Sequence, residues 1–199
     1  FAAQTGEDIS YTRLLGDIDH VEHDFQQFFA SGGRGLNVTV PFKEAACRFA
    51  DRLSERAGEA GAVNTLIAEA TGIHGDNTDG VGLLRDLEVN HELNLEGMQI
   101  LILGAGGATQ GIIGPLLETR PALLVIANRT IGKADALVRH FSDFGLIVAC
   151  RFDNVPTDTN YELVINATSA GLAGEIGRER LDVVGAGERI DDPGDRRFL

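Results

Sequence analysis

Val21, Phe25, Phe28 and Phe29 recur at helical spacing within residues 17 to 31 and predict a helix there, ended by the "GGRG" that follows. The period then changes. Residues 36 to 40, "LNVTV", alternate and are rich in β-branched side chains, so a strand is expected, stopped by Pro41. Pro41 is well placed to open a helix over "FKEAACRFADRL". The polar, Ala/Gly-rich "SERAGEAGAV" reads as a connection into a second strand over "AVNTLIAE". "ATG" turns the chain into "IHGDNTDG", to which no element is assigned, and "VGLLRDLEV" begins another helix with Val81, Leu84 and Leu87 on one side. From Met98 onward strands and helices alternate more strongly. "QILILGAG", "LLVIAN", "LIVAC" and "YELVINAT" read as strands, with helices from about residue 108 to 118 and over "KADALVRHFSDF". That alternation is the mark of a doubly wound parallel sheet. The fold class expected is α/β with two domains, joined through a helix between about residues 80 and 94.

Composition narrows the class without changing it. A chain of 199 residues that is 43% hydrophobic can bury a substantial core. Its longest apolar runs, such as "ALLVIA", are too short to span a bilayer. Two distant cysteines, Cys47 and Cys150, suggest neither a disulfide framework nor a zinc ribbon, so a reducing cytoplasm is the expected location. The five histidines do not cluster with acids at metal-ligand spacing; they read as solvated or capping residues, and no metal is expected. A formal charge of −13 argues against nucleic-acid and membrane partners and requires any anionic ligand to meet local cations.

Two places carry chemistry. In "LILGAGGATQG" the glycines follow an apolar strand and precede a helix, the context in which backbone can approach a pyrophosphate and a helix N-terminus can hold it. An NAD site commonly places an acid about 20 residues further on. Here Asn128, Arg129 and Thr130 stand there, with Lys133 one turn later, and a guanidinium beside an ammonium favours the 2′-phosphate of NADP. The second place is Lys43, in the first turn after a strand end, with Asp79 in "GDNTDG" as a partner. Hydride transfer from an alcohol needs a group to exchange the hydroxyl proton, which Lys43 could serve as. The residues alone leave this open against a surface lysine and a helix-capping aspartate.

"NVTVPFKEAA", "AGAVNTL", "GDNTDGVGLL", "LGAGGAT", "NRT" and "INATSAG", in this order and spacing from about Gly32 to Gly171, resemble the shikimate dehydrogenases, most closely the bacterial biosynthetic, NADP-dependent type. The resemblance implies reversible reduction of 3-dehydroshikimate to shikimate in chorismate and aromatic amino acid biosynthesis. Lys43 and Asp79 would be the catalytic pair, and Thr39 and Asn64 would bind substrate hydroxyls with them. Gly104, Ala105, Gly106, Gly107 and Ala108 would cradle the pyrophosphate. Asn128, Arg129, Thr130 and Lys133 would hold the 2′-phosphate, and Thr168 would approach the cofactor from the third βα loop. It divides the chain into a substrate-binding domain, 1–84, a Rossmann-like NADP domain, 85–174, and a divergent tail, 175–199. It leaves monomer and homodimer both open.

The resemblance fails at both ends. No counterpart of the family's serine-containing, carboxylate-binding loop precedes residue 17. After "INATSAGLAGE" the sequence becomes rich in Gly, Asp and Arg, which suggests an irregular tail from a truncated or altered reading frame. The alternative functions are an NADP-binding homologue with little turnover and a quinate/shikimate dehydrogenase.

Overall fold

The computed structural model describes residues 2–168; expectations that fall on residues 169–199, the divergent tail among them, lie outside these. A helical turn, α1 (Ala2–Thr5), and a mostly exposed stretch lead into α2 (Val21–Ala30), which buries Val21 and Phe25 and half-buries Phe28 and Phe29. There follow β1 (Gly35–Asn37), α3 (Lys43–Phe49), β2 (Arg52–Leu53), α4 (Glu55–Ala60), β3 (Thr65–Glu69) and β4 (Gly72–Asp76). The four strands form a mixed sheet in the order β1-β3-β4-β2, with β1 and β4 antiparallel to β3 and β2 parallel to β4. Val38, Ala46, Ala57, Val63 and Leu66 pack between this sheet and its helices.

Several expected elements shift here, each for a tertiary reason. The strand expected over 36–40 ends as a ladder at Asn37, although the Val38 N–H still bonds to the Asn64 carbonyl at 2.7 Å. The chain then turns, with Phe42 N–H bonding to Thr39 O at 3.0 Å, and α3 starts at Lys43 rather than at Pro41. The helix expected to run through Leu53 stops at Phe49, because Arg52 and Leu53 pair with His74 and Gly75. The connection "SERAGEAGAV" contains α4, capped by Ser54, whose Oγ accepts from Ala57 N–H. The unassigned "GIHGD" is β4, a polar and Gly-containing strand held by its hairpin pairing to β3.

α5 (Asp79–Arg85), ending in a wider π-turn over Asp86–Asn90, connects to the second sheet. β5 (Gln99–Leu103), α6 (Gly107–Glu118), β6 (Leu123–Ala127), α7 (Ile131–Phe141), β7 (Ile147–Cys150) and β8 (Leu163–Asn166) then alternate. These strands are parallel in the order β7-β6-β5-β8, a Rossmann-like, doubly wound arrangement. Ile100, Ile102, Leu124 and Ile126 face α6 and α7 through Ile113, Leu116 and Phe141, whereas Leu101, Leu103, Val125 and Ala127 pack on the other face. Burial on both faces explains why these strands read as continuous apolar runs. Strand order reverses between β5 and β8, and at such a switch point the loops following the strands splay apart to form a ligand crevice. Among the described residues no helix is long and apolar enough to cross a membrane.

The two halves meet along α6. Gly80 lies so close to it that a β-carbon there would fall 2.6 Å from the Gly111 carbonyl and 2.5 Å from Pro115. Pro115 has no N–H to return to Gly111, so that carbonyl lacks its helical partner where Gly80 approaches. At the far end of the seam His140 Nε2 lies 2.6 Å from the Glu59 carbonyl, joining α7 to α4. His140 thus bridges the halves, beyond the solvated or capping role expected of it.

Candidate active site

Lys43 opens α3 with its backbone carbonyl bonded to Val63 N–H at 2.9 Å, which fixes it beside the start of β3. The residue is only 8% exposed, and a cation so far from water needs a counter-charge. Asp79 provides it: Lys43 Nζ donates to Asp79 Oδ2 at 2.6 Å. The other carboxylate oxygen, Oδ1, accepts from Asn64 Nδ2 at 2.8 Å. Asn64 is itself oriented, because its Oδ1 accepts from Thr65 Oγ1 at 2.8 Å and from Thr78 N–H at 3.1 Å. Three expected site residues, 36 and 15 positions apart along the chain, thus form one network. Thr39 stands apart from it, exposed on the turn that leads to Lys43.

The turn that carries Asp79 is anchored from below. Asp76, the last residue of β4, accepts from Ser54 Oγ at 2.6 Å, from Arg56 Nε at 2.8 Å, from Asn77 N–H at 2.8 Å and, on its other oxygen, from Arg56 Nη2. The Arg56 guanidinium foremost, helped by Ser54 and the Asn77 amide, outweighs partial burial and holds the Asp76 carboxyl down at about 2. Asn77, 2% exposed, donates to the Ala62 carbonyl at 2.9 Å and accepts from Asp79 N–H at 3.1 Å. Neither Arg56 nor Asp76 was singled out from sequence. The "SER" that caps α4 shows a helix start, but nothing local shows that Arg56 reaches 20 positions ahead.

The glycine loop faces this network from the second sheet. Gly104 has φ +108°, and a β-carbon on it would meet the Ala167 carbonyl at 3.0 Å and Thr168 N at 3.2 Å, so the loop after β5 fits against the loop after β8 only without a side chain. Thr109, fully buried, ties the loop down by donating to the Gly104 carbonyl at 2.9 Å. Gly106 caps α6 and is open, with no heavy atom within 4 Å of where a β-carbon would sit. Ala105 and Ala108 lie beside it, half-buried. Asn128 follows β6, takes a backbone bond to Cys150 O and donates through its amide to Thr130 O at 2.8 Å; Thr130 caps α7. Arg129 and Lys133 are exposed, and neither is in an ion pair among the described residues. Thr168 folds back on Asn166 Oδ1 through both its N–H and its hydroxyl, at 3.1 and 2.7 Å.

A cleft of about 520 Å³ joins the two sets, lined by Val40, Lys43 and Glu44 on one side and by Ala105–Gly107, Gln110 and Lys133 on the other. An open glycine at a helix N-terminus, and two cations beyond the neighbouring strand that are in no ion pair among the described residues, are groups that could hold a dinucleotide. The residues present therefore fit such a cofactor. A second concavity of about 540 Å³, beside His20 and Arg48, holds neither the lysine–aspartate pair nor the glycine loop. Among the described residues no group of His, Cys, Asp and Glu is placed to hold a metal ion.

The chain is similar to known proteins over most of its length. Residues 1–66 match the model of the shikimate dehydrogenase substrate binding domain, and residues 87–173 that of shikimate / quinate 5-dehydrogenase. The chain is 52% identical over 176 residues to the shikimate dehydrogenase (NADP(+)) of Alkalilimnicola ehrlichii, a match covering 88% of this chain and 64% of that relative. It is 52% identical over 188 residues to the enzyme of the same name from Methylococcus capsulatus, covering 94% of this chain and 67% of that one. The solved shikimate 5-dehydrogenase of Thermus thermophilus, in complex with NADP(H) and shikimate, superposes with a TM-score of 0.71 at 31% identity, covering 84% of this chain and 60% of that one.

Proposed function

This chain belongs to the shikimate dehydrogenase family, and from that membership we propose that it catalyses the reversible NADPH-dependent reduction of 3-dehydroshikimate to shikimate. The observation that carries the reading is Lys43, tied to Asp79 and through it to Asn64, lining one cleft with the glycine loop. The nicotinamide, when bound, supplies or accepts the hydride. Lys43 Nζ holds the proton that passes to the carbonyl oxygen as it becomes a hydroxyl, and in the reverse direction Lys43 takes that proton back. Asp79 keeps the ammonium aimed and offers carboxylate lone pairs to substrate hydroxyls. Asn64, whose amide is fixed by three partners, and Thr39, on the turn before Lys43, present further polar groups to the ring.

Gly104 to Ala108 and the N-terminus of α6 hold the pyrophosphate through backbone N–H groups. Asn128, Arg129, Thr130 and Lys133 receive the 2′-phosphate; among the described residues Arg129 and Lys133 are in no ion pair, which supports NADP over NAD. Thr168 meets the cofactor from the loop after β8. The reaction belongs to chorismate and aromatic amino acid biosynthesis and is assigned to the cytoplasm. The chain spans 64% of the Alkalilimnicola relative, so the test must use this chain itself. Shikimate-dependent reduction of NADP⁺ is followed by absorbance for the wild type and for Lys43→Ala, beside an NADP⁺ binding titration and with quinate as second substrate. Turnover by the wild type that Lys43→Ala lacks is expected. Binding of NADP⁺ without turnover would overturn the activity, and turnover of quinate in preference to shikimate would reassign the substrate.

A further inference from the structure

Gln110 ends the first turn of α6 in the wall of the cleft, and its side-chain Oε1 is shut off from solvent with no hydrogen-bond donor. Its surroundings are otherwise satisfied. Thr109 beside it bonds to the Gly104 carbonyl, the Gln110 backbone N–H bonds to Gly106 O at 3.1 Å, and Asn77 Nδ2 is committed to Ala62 O. Lys43 Nζ donates to Asp79 and makes no bond to this oxygen. A β-carbon placed on Gly107 would lie 3.8 Å from Gln110 Oε1 and 3.7 Å from Lys43 Cδ, so the glutamine carbonyl and the lysine stem flank the bare backbone of the glycine loop from two sides. Buried polar atoms are almost always paired, and an orphan costs stability that its removal would recover.

Resting on the dehydrogenase reading, we infer that Gln110 is a ligand-binding residue whose side-chain carbonyl accepts a hydrogen bond from a hydroxyl of the molecule held between Lys43 and the glycine loop. A carbonyl cannot pair with a phosphate or a carboxylate, both of which only accept, so the anionic parts of either ligand are excluded as its partner. The N–H donors of the dinucleotide lie on its bases, beyond the riboses, so beside the glycine loop hydroxyl donors remain. Two sources carry them: a ribose next to the pyrophosphate and the polyol ring of the substrate.

Gln110→Met keeps the length and helix preference of the side chain and removes the acceptor. The measurements are thermal unfolding without ligand and calorimetric titration with NADP⁺, with adenosine 2′,5′-bisphosphate, which lacks the nicotinamide ribose, and with shikimate. Expected are an unfolding midpoint equal to or above that of the wild type, together with roughly three- to tenfold weaker binding of one ligand, the loss of one neutral hydrogen bond. Weakened NADP⁺ with unchanged bisphosphate identifies a hydroxyl of the nicotinamide-side ribose, and weakened bisphosphate one of the adenosine side. Weakened shikimate identifies the ring. Unchanged affinities, with the midpoint lowered or not, overturn the inference. A wild-type chain that binds neither NADP⁺ nor shikimate refutes the dehydrogenase reading itself, a result distinct from a variant that binds as the wild type does.

Discussion

Gly111 and Asp79 touch across the seam between the halves of the molecule: a β-carbon on Gly111 would fall 3.1 Å from Asp79 Oδ2, the oxygen that receives Lys43, and 2.9 Å from both amide atoms of Asn77. The helix whose N-terminus faces the cleft therefore also limits where the carboxylate can sit.

Gly111→Ala should separate α6 from the Asn77–Asp79 turn. Overpacking of this kind costs about 1–3 kcal/mol, which denaturant unfolding would record. Displacing Asp79 by even a fraction of its bond to Lys43 should lower turnover on the order of 100-fold, while NADP⁺ binding at the untouched loop stays near the wild-type value. A variant with normal turnover would show that the contact does not position Asp79.

Gly104→Ala meets two obstacles, a φ of +108° that alanine rarely adopts and the Ala167 carbonyl 3.0 Å away. Strain of about 1–3 kcal/mol is expected, relieved by shifting the loop. Titration should then show weakened NADP⁺ binding with shikimate binding retained, the opposite of what Asp79→Asn should give.

The Asp76 carboxyl sits at about 2, against 3.8 when unpaired. A lowered folded-state value means that the stabilisation is fully present above pH 3.8 and is lost as pH falls through about 2. The shift corresponds to about 2 kcal/mol. Unfolding free energy measured between pH 4 and pH 2 should fall less steeply for Arg56→Met than for the wild type, since the variant has already lost the clamp. Equal slopes would mean that Arg56 does not hold Asp76 ionised.

Among the described residues Arg129 and Lys133 are in no ion pair, so the 2′-phosphate is their expected partner. Arg129→Ala should weaken NADP⁺ roughly 10- to 100-fold, the range for a lost charged hydrogen bond, and leave NAD⁺ affinity unchanged. Loss of affinity for both cofactors in equal measure would place Arg129 elsewhere than at the 2′-phosphate.

By itself the sequence determined the second sheet, since β5 and β6 are buried on both faces and such strands announce themselves as unbroken apolar runs before glycine and asparagine turns. It also offered the glycine loop, Lys43 and Asp79 as candidates, since glycines before a helix and a charge after a strand end are local features, but only the family resemblance set the pair above a surface lysine and a helix cap. Only tertiary structure decided the rest. β4 has two glycines and a histidine in five residues and exists because β3 and β2 pair with it on either side. α4 is six residues long, too short to be stable alone, and is held by Ser54 and by packing on α6. Arg56 reaches Asp76, Gly111 meets Asp79 and Gln110 loses its partner through contacts between segments 20 or more positions apart or through burial, neither of which leaves a period in the chain. Periodicity reports which face of one element is dry; which distant side chains share that dry space is settled only when the elements pack.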